Sequence, residues 1–443
     1  MAMGAEKGKY ALGVAMLVAL VIGGGTDRGL LTDAIVQITT LTACAIALTQ
    51  APAQSLSSAT VWMSAAIFAL CLLQLIPLPE ALIDAVRPDA LAADPSNDST
   101  FSFISSGLGS SLDAALLVTT GLAFLLAVLA LRADQVVGLL PFFLAGVFFN
   151  ILAATIQFSL AQNVAIDNVL SYTIKAGFFA NVNHFSTLIY AAIPFVVFFG
   201  LTRGYLCSAG LVLVGILLFL LAAGSRAGIA LGLIVAVAST IFLSSRSRVG
   251  GWGLVAAFIV ASVYALGLWT KFGQRELDPT FGRAEFAGTT LDGIAENWVL
   301  GVGFGSFRNA YGIYEQPQMI FSEYVNHAHN DYLEIVFEGG IAAAVMVILY
   351  FILLAKSVER IRSDDFQKAA LISTLFICAH SLVDYPLRTV ALLLTFAYLN
   401  GIVFHSGFPL RRPGKHVRHA EPPKPDDQEV ILPLKTTRGR LCT

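Results

Sequence analysis

The chain has 443 residues, 56% of them hydrophobic and only 13% charged, with a formal net charge of −2 at pH 7. That composition excludes an ordinary water-soluble domain and suits a protein whose solvent is mostly lipid. The net charge by itself says nothing; the placement of the charges does.

A spanning helix needs about 20 predominantly apolar residues. Twelve such runs are expected, at 10–25, 30–49, 61–78, 112–132, 136–159, 184–202, 205–223, 226–244, 252–270, 331–355, 369–384 and 387–405. Unpaired backbone groups are too costly in hydrocarbon for these runs to be anything but helical, and the alternating strands of a barrel are missing. The expected fold is an all-α polytopic membrane bundle. With a cytoplasmic N-terminus, Lys7, Lys9, Arg132, Arg203, Arg246, Arg248, Lys356, Arg360, Arg362 and Lys368 fall inside, as the positive-inside rule requires. Removing one span would reverse every later loop and spoil that pattern.

Lys7 and Lys9 before an apolar run mimic a signal peptide, but no A-x-A site follows, so an uncleaved first span is expected. Residues 80–111 read as an outward, mobile rim rich in Asp, Ser, Pro and Gly. An outward segment from Ala161 closes on Asn181-Val182-Asn183-His184, where Lys175, Asn181 and Asn183 could line a cleft. Ala222-Ala223-Gly224-Ser225-Arg226 predicts a tight hairpin with one arginine at a helix N-terminus.

The largest outward region, 271–330, is too long to be a structureless connection. Within it 283–300 predicts an amphipathic helix, broken by Gly301-Val302-Gly303-Phe304-Gly305. That run has no preceding strand and no G-x-G-x-x-G, so a flexible turn is expected rather than a cofactor loop. Cys44, Cys71, Cys207, Cys378 and Cys442 offer neither an outward disulfide pair nor a metal-binding spacing. No cofactor and no metal are expected. Residues 406–443, rich in proline and charge, read as a disordered cytoplasmic tail.

Titratable residues gather in 323–340, EYVNHAHNDYLEIVFEGG. Asp331 followed by Glu334 has the spacing of a capping box and predicts a helix start. His329, just before it, sits at the positive end of the helix dipole, which disfavours imidazolium. It is either a general base or a passive interfacial residue. His327, two residues away, points elsewhere and reads as a structural hydrogen-bonder. Glu334 and Glu338 share a helix face and either orient His329, bind acceptor hydroxyls, or form ion pairs. Arg226 is poorly placed against a helix dipole unless an anion sits beside it, and Arg283 could add a second guanidinium fork. Both could equally face lipid headgroups. His380 and Asp384 are expected to pair with each other.

His329-Asn330 followed by Gly340, the Gly224-Ser225-Arg226 hairpin, Asn181-x-Asn183, and the glycine run after Trp298 together resemble the O-antigen ligases and related O-antigen polymerases. The resemblance covers roughly residues 170–400. It implies a GT-C-like fold, with residues 1–405 as the transmembrane transferase domain and a large periplasmic loop between helices nine and ten. It also implies a bacterial inner-membrane enzyme whose active site faces the periplasm. Such an enzyme takes a glycan from undecaprenyl diphosphate to lipid A–core, another glycan or a protein, without metal or nucleotide sugar. Arg226 and Arg283 would match the arginines that hold the diphosphate, and His329 the catalytic histidine. Ala343 and Val182 depart from residues common in the family. A transporter of lipid-linked glycan would instead place charged or broken helices at mid-membrane. An envelope scaffold would not need Arg226 and His329 on one face of the membrane.

Overall fold

A computed structural model describes residues 2–27, 29–50, 57–85, 101–159, 170–243, 279–315, 325–361 and 364–408. The chain runs through α1 (Ala2–Ile22), α2 (Leu31–Gln50) and α3 (Ser58–Leu73). A small ribbon follows, in which β1 (Pro77–Pro79) and β2 (Phe101–Phe103) pair antiparallel with Leu78 opposite Ser102. The short α4 (Glu80–Asp84) lies between these strands in sequence. Next come α5 (Leu108–Ala130), α6 (Ala133–Val137), α7 (Leu140–Ser159), α8 (Val182–Ala191), α9 (Ile193–Arg203), α10 (Leu206–Ala223) and α11 (Arg226–Leu243). The rest is α12 (Pro279–Asn297), α13 (Phe307–Tyr314), α14 (Asp331–Ile361), α15 (Asp365–His380) and α16 (Val390–Phe404).

Seven stretches among the described residues are long and apolar enough to cross a membrane: Leu31–Gln50, Leu108–Ala130, Ala133–Ser159, Val182–Arg203, Leu206–Ala223, Arg226–Leu243 and Asp331–Ile361. The chain is a multi-pass helical membrane protein. Helices also stand at the expected runs 10–25, 61–78, 369–384 and 387–405, while 252–270 lies outside the described residues. So do residues 86–100 of the expected rim and the tail from 409 onward.

Helix α16 is apolar all round, and it is buried on almost every face against α5, α15 and α1, as such a helix must be. The outward faces of other helices carry Trp62, Phe148, Leu211, Phe242 and Ile348, which are exposed large apolar side chains suited to lipid. The expected hairpin is present. Gly224, at φ +78°, ends α10 in the left-handed conformation that a side chain disfavours, and the Ser225 hydroxyl accepts from the Gly228 amide to cap α11.

Helix α14 is broken at Gly340, whose φ of +59° and ψ of −152° are close to glycine-only territory. The carbonyls released there are taken up. Val302 N donates to Phe337 O at 3.0 Å, and Glu338 O accepts from Gly303 N at 2.9 Å and Gln74 Nε2 at 3.1 Å. Phe304 N donates to Gln74 Oε1 and Gly305 N to Glu338 Oε1, at 2.6 and 2.8 Å. The glycine run is therefore no flexible turn. It is a fixed clamp around the break, because its amides are the donors that the interrupted helix lacks.

The described part of 271–330 holds helices α12 and α13. Val302, Phe307, Ala310, Tyr311, Val325, Ala328 and Phe337 make a small second core under α12 and α13.

Candidate active site

The N-terminus of α14 is capped by Asn330, not by Asp331. The Asn330 Oδ1 accepts from Tyr332 N at 3.0 Å and Leu333 N at 3.1 Å, while its Nδ2 donates to Leu382 O. This ties α14 to the turn after α15. Helix α15 stops at His380, four residues short of the expected end, because the turn that follows leads into Pro386, and residues before proline leave the helical region. Asp384 is thereby released from the helix and aimed at His329.

His329 has φ +50°, a left-handed value uncommon for a side-chain-bearing residue. Its Nδ1 lies 3.0 Å from Asp384 Oδ1. Asp384 is fully buried, while the His329 side chain keeps 23% of its exposure. Burial alone would push the Asp384 carboxyl up. The His329 hydrogen bond and the surrounding imidazoles outweigh it and hold the group well below the usual carboxylate range. An ionised carboxylate only accepts, so Nδ1 carries the proton and Nε2 is left as the basic nitrogen. The expected His380–Asp384 pair does not form through side chains. The His380 Nδ1 lies 2.8 Å from Thr187 Oγ1 and 3.0 Å from Tyr190 OH.

Tyr385 is the hub. His327 stacks on its ring at 4.1 Å, and His329 and His184 meet it edge-on at 5.0 and 4.8 Å. Burial pushes the Tyr385 hydroxyl well above the usual phenol range, against the opposing pull of the Asn181 and Asn326 side chains. Asn181 Oδ1 accepts from the Asn183 amide (2.8 Å), and Asn183 Oδ1 accepts from Ser225 Oγ (2.7 Å). Arg226 is the next residue and the first of α11. Arg283 is exposed one helical turn before Phe286, whose ring stacks on His329 at 5.7 Å, and its charge is felt at His380. Arg226, Arg283, Asn181, Asn183 and His329 are thus brought to one end of the bundle.

The two glutamates are placed differently from the expectation that they serve His329 or an acceptor. Both are fully buried. Glu334 holds His327, with Oε1 2.8 Å from its Nδ1 and Oε2 accepting from Ala328 N at 2.9 Å. Arg388 Nη1 lies 2.7 Å from Glu338 Oε2 and 3.4 Å from Glu334 Oε1, and its Nε is 3.4 Å from Asp331 Oδ1. Three buried carboxylates around one guanidinium form a support for the α14 start, of the ion-pair kind. His327 is buried with them, as the structural reading held. Lys175 is exposed on the segment leading to Phe179 and joins none of these hydrogen bonds among the described residues.

Four participants had no assigned chemical role from sequence: Asp384 as the His329 partner, Tyr385, Arg388 and His184. All but His184 fall in Asp384-Tyr385-Pro386-Leu387-Arg388, a polar turn between two apolar helices, and that contrast was the available signal. Asp384 Oδ2, His380 Nε2 and both His184 ring nitrogens are buried without a protein partner among the described residues. Such atoms mark a polar interior rather than a packed core.

The O-antigen ligase family model matches residues 211–348. The match supports a place in the O-antigen ligase and polymerase superfamily. No curated protein matches the chain. The O-antigen ligase match runs from α10 into α14, so it takes in Arg226, Arg283 and His329 but stops before Asp384 and Arg388.

Proposed function

We propose that this protein is a glycosyltransferase of the inner membrane that moves a glycan from undecaprenyl diphosphate to an acceptor hydroxyl, lipid A–core being the favoured acceptor. The observation that carries the reading is the His329–Asp384 pair, held at the same end of the bundle as Arg226 and Arg283. His329 Nε2 takes the proton of the acceptor hydroxyl as its oxygen attacks the anomeric carbon, and Asp384 stabilises the imidazolium that forms. The bond from that carbon to the diphosphate oxygen breaks, and the diphosphate leaves with its electron pair. Arg226 and Arg283 stabilise the charge gathering on the leaving group, helped by the amides at the start of α11. A single displacement inverts the anomeric centre.

Twelve spans with a cytoplasmic N-terminus would turn this end of the bundle to the periplasm, where polyprenyl-linked glycans await transfer. An apolar cavity of about 280 Å³ ends at Asp331 and Arg388, and a second of about 220 Å³ continues it between α3, α5, α14 and α16. A polyprenyl tail suits that slot. The break at Gly340 does not favour a transporter, because the carbonyls it frees are bonded to Val302, Gly303 and Gln74 rather than turned to a cavity.

Purified protein reconstituted with polyprenyl-diphosphate glycan, and offered lipid A–core, a second lipid-linked glycan and a protein in separate reactions, tests the reading. Transfer to the first supports a ligase, and transfer to the second or third supports a polymerase or a protein glycosyltransferase. No transfer to any of them contradicts an enzymatic role.

A further inference from the structure

A third cavity adjoins the site at His327. It encloses about 600 Å³ and is lined by Asp27, Asp113, Arg308, Asn309, Asn326 and His327. Its size lies within the range of about 300–1,000 Å³ typical of ligand sites. His327 joins it to the His329 cluster by stacking on the Tyr385 ring that His329 also touches. His327 is held from behind by Glu334, and its Nε2 lies 3.4 Å from Thr26 O. The wall nearest the chemistry is therefore rigid. By contrast Asp27, Asp113, Arg308 and Asn309 on the remaining walls are exposed.

The lining favours one chemical class. Carboxylates, carboxamides and hydroxyls line the cavity. That mixture of acceptors and donors answers the hydroxyl-dense edges of sugar rings. Among the described lining residues two carboxylates stand with one guanidinium, a balance that disfavours phosphorylated or uronic sugars. A phosphate or diphosphate would be at home near Arg226 and Arg283, not here.

We propose that this cavity is a saccharide subsite, taking uncharged sugar rings of a substrate whose reacting end lies at His329. The proposal rests on the glycosyl-transfer reading above. The rings could belong to the donor glycan or to the acceptor, and the two sources differ in which oligosaccharide binds.

The test uses full-length protein in detergent and three probes: the oligosaccharide released from the lipid-linked donor, deacylated lipid A–core oligosaccharide, and undecaprenyl diphosphate without sugar. Titration calorimetry is run on the wild type, the exposed-site double variant Asp27→Asn/Asp113→Asn, Asn309→Ala and His329→Ala. We expect one oligosaccharide to bind the wild type and His329→Ala alike. The double variant should weaken it about tenfold or more, since hydrogen bonds to charged groups are lost. In steady-state transfer the same variant raises KM for the saccharide-bearing substrate far more than it lowers kcat. Undecaprenyl diphosphate binding, unchanged in the double variant, reports an intact fold. Preference for the donor oligosaccharide assigns the rings to the donor, and preference for the core assigns them to the acceptor. Equal saccharide affinity in the wild type and the double variant, or no saccharide binding at all, overturns the subsite. Failure of the transfer reading registers separately, as absent undecaprenyl diphosphate binding together with absent transfer.

Discussion

His329 and Asp384 lie 55 residues apart in sequence, yet His329 Nδ1 sits 3.0 Å from Asp384 Oδ1. One is held by the left-handed turn before α14 and the other by the polar turn after α15. The aspartate fixes the imidazole tautomer and orientation, so its charge matters as much as its shape.

Asp384→Asn should therefore lower kcat for transfer by about 10²–10⁴-fold with little change in donor affinity, since an amide presents no full charge to the imidazolium and can bind the wrong tautomer. Asp384→Glu should recover part of the loss. A variant with wild-type kcat would show that the pair only packs.

Asp384 also sets an acid limit on stability. Its folded value lies below the unfolded one of about 3.9. The stabilisation is therefore fully present above that value and is lost as pH falls through the lower folded one. Thermal unfolding in detergent should give a constant gap between wild type and Asp384→Asn from about pH 5 to 8, closing only below about pH 4. A gap that closes near neutrality would contradict the assignment.

Arg388→Ala leaves Asp331, Glu334 and Glu338 buried around a missing cation. Breaking a buried charge cluster in this way costs about 3–5 kcal/mol. The variant should fail to accumulate, and so should not be read as a catalytic loss. Normal yield and melting temperature would mean that the three carboxylates find another partner.

Gly340→Ala places a Cβ 2.6 Å from Val299 O at a backbone conformation that alanine resists. The strain should cost about 1–3 kcal/mol and loosen the clamp made by residues 301–305. A lowered unfolding midpoint checks this, together with faster amide exchange at Val302 and Gly303.

The apolar runs made the helices legible, because lipid leaves the backbone few alternatives. Arg226, Asn181, Asn183 and His329 were legible too, each being a polar residue beside a helix start where its type has a physical meaning. What local sequence did not carry was pairing over distance. Glu334 and Glu338 share a face, but their counter-ion Arg388 is 50 residues or more away, so they read equally as substrate ligands. His380 and Asp384 sit four apart and seemed natural partners, until the helix ended between them and His329 supplied the stronger bond. The glycine run looked flexible because its hydrogen-bond acceptors lie across the break at Gly340, which only the assembled chain brings near.

The central claim is that an imidazole and guanidinium groups act together on a lipid-linked sugar. Its most direct measurement is glycan transfer by purified wild type, His329→Ala and Arg226→Ala in proteoliposomes loaded with polyprenyl-diphosphate glycan. The account predicts transfer by the wild type and loss in each variant by about 10²-fold or more, at equal amounts of folded protein. Sustained transfer by either folded variant would contradict it.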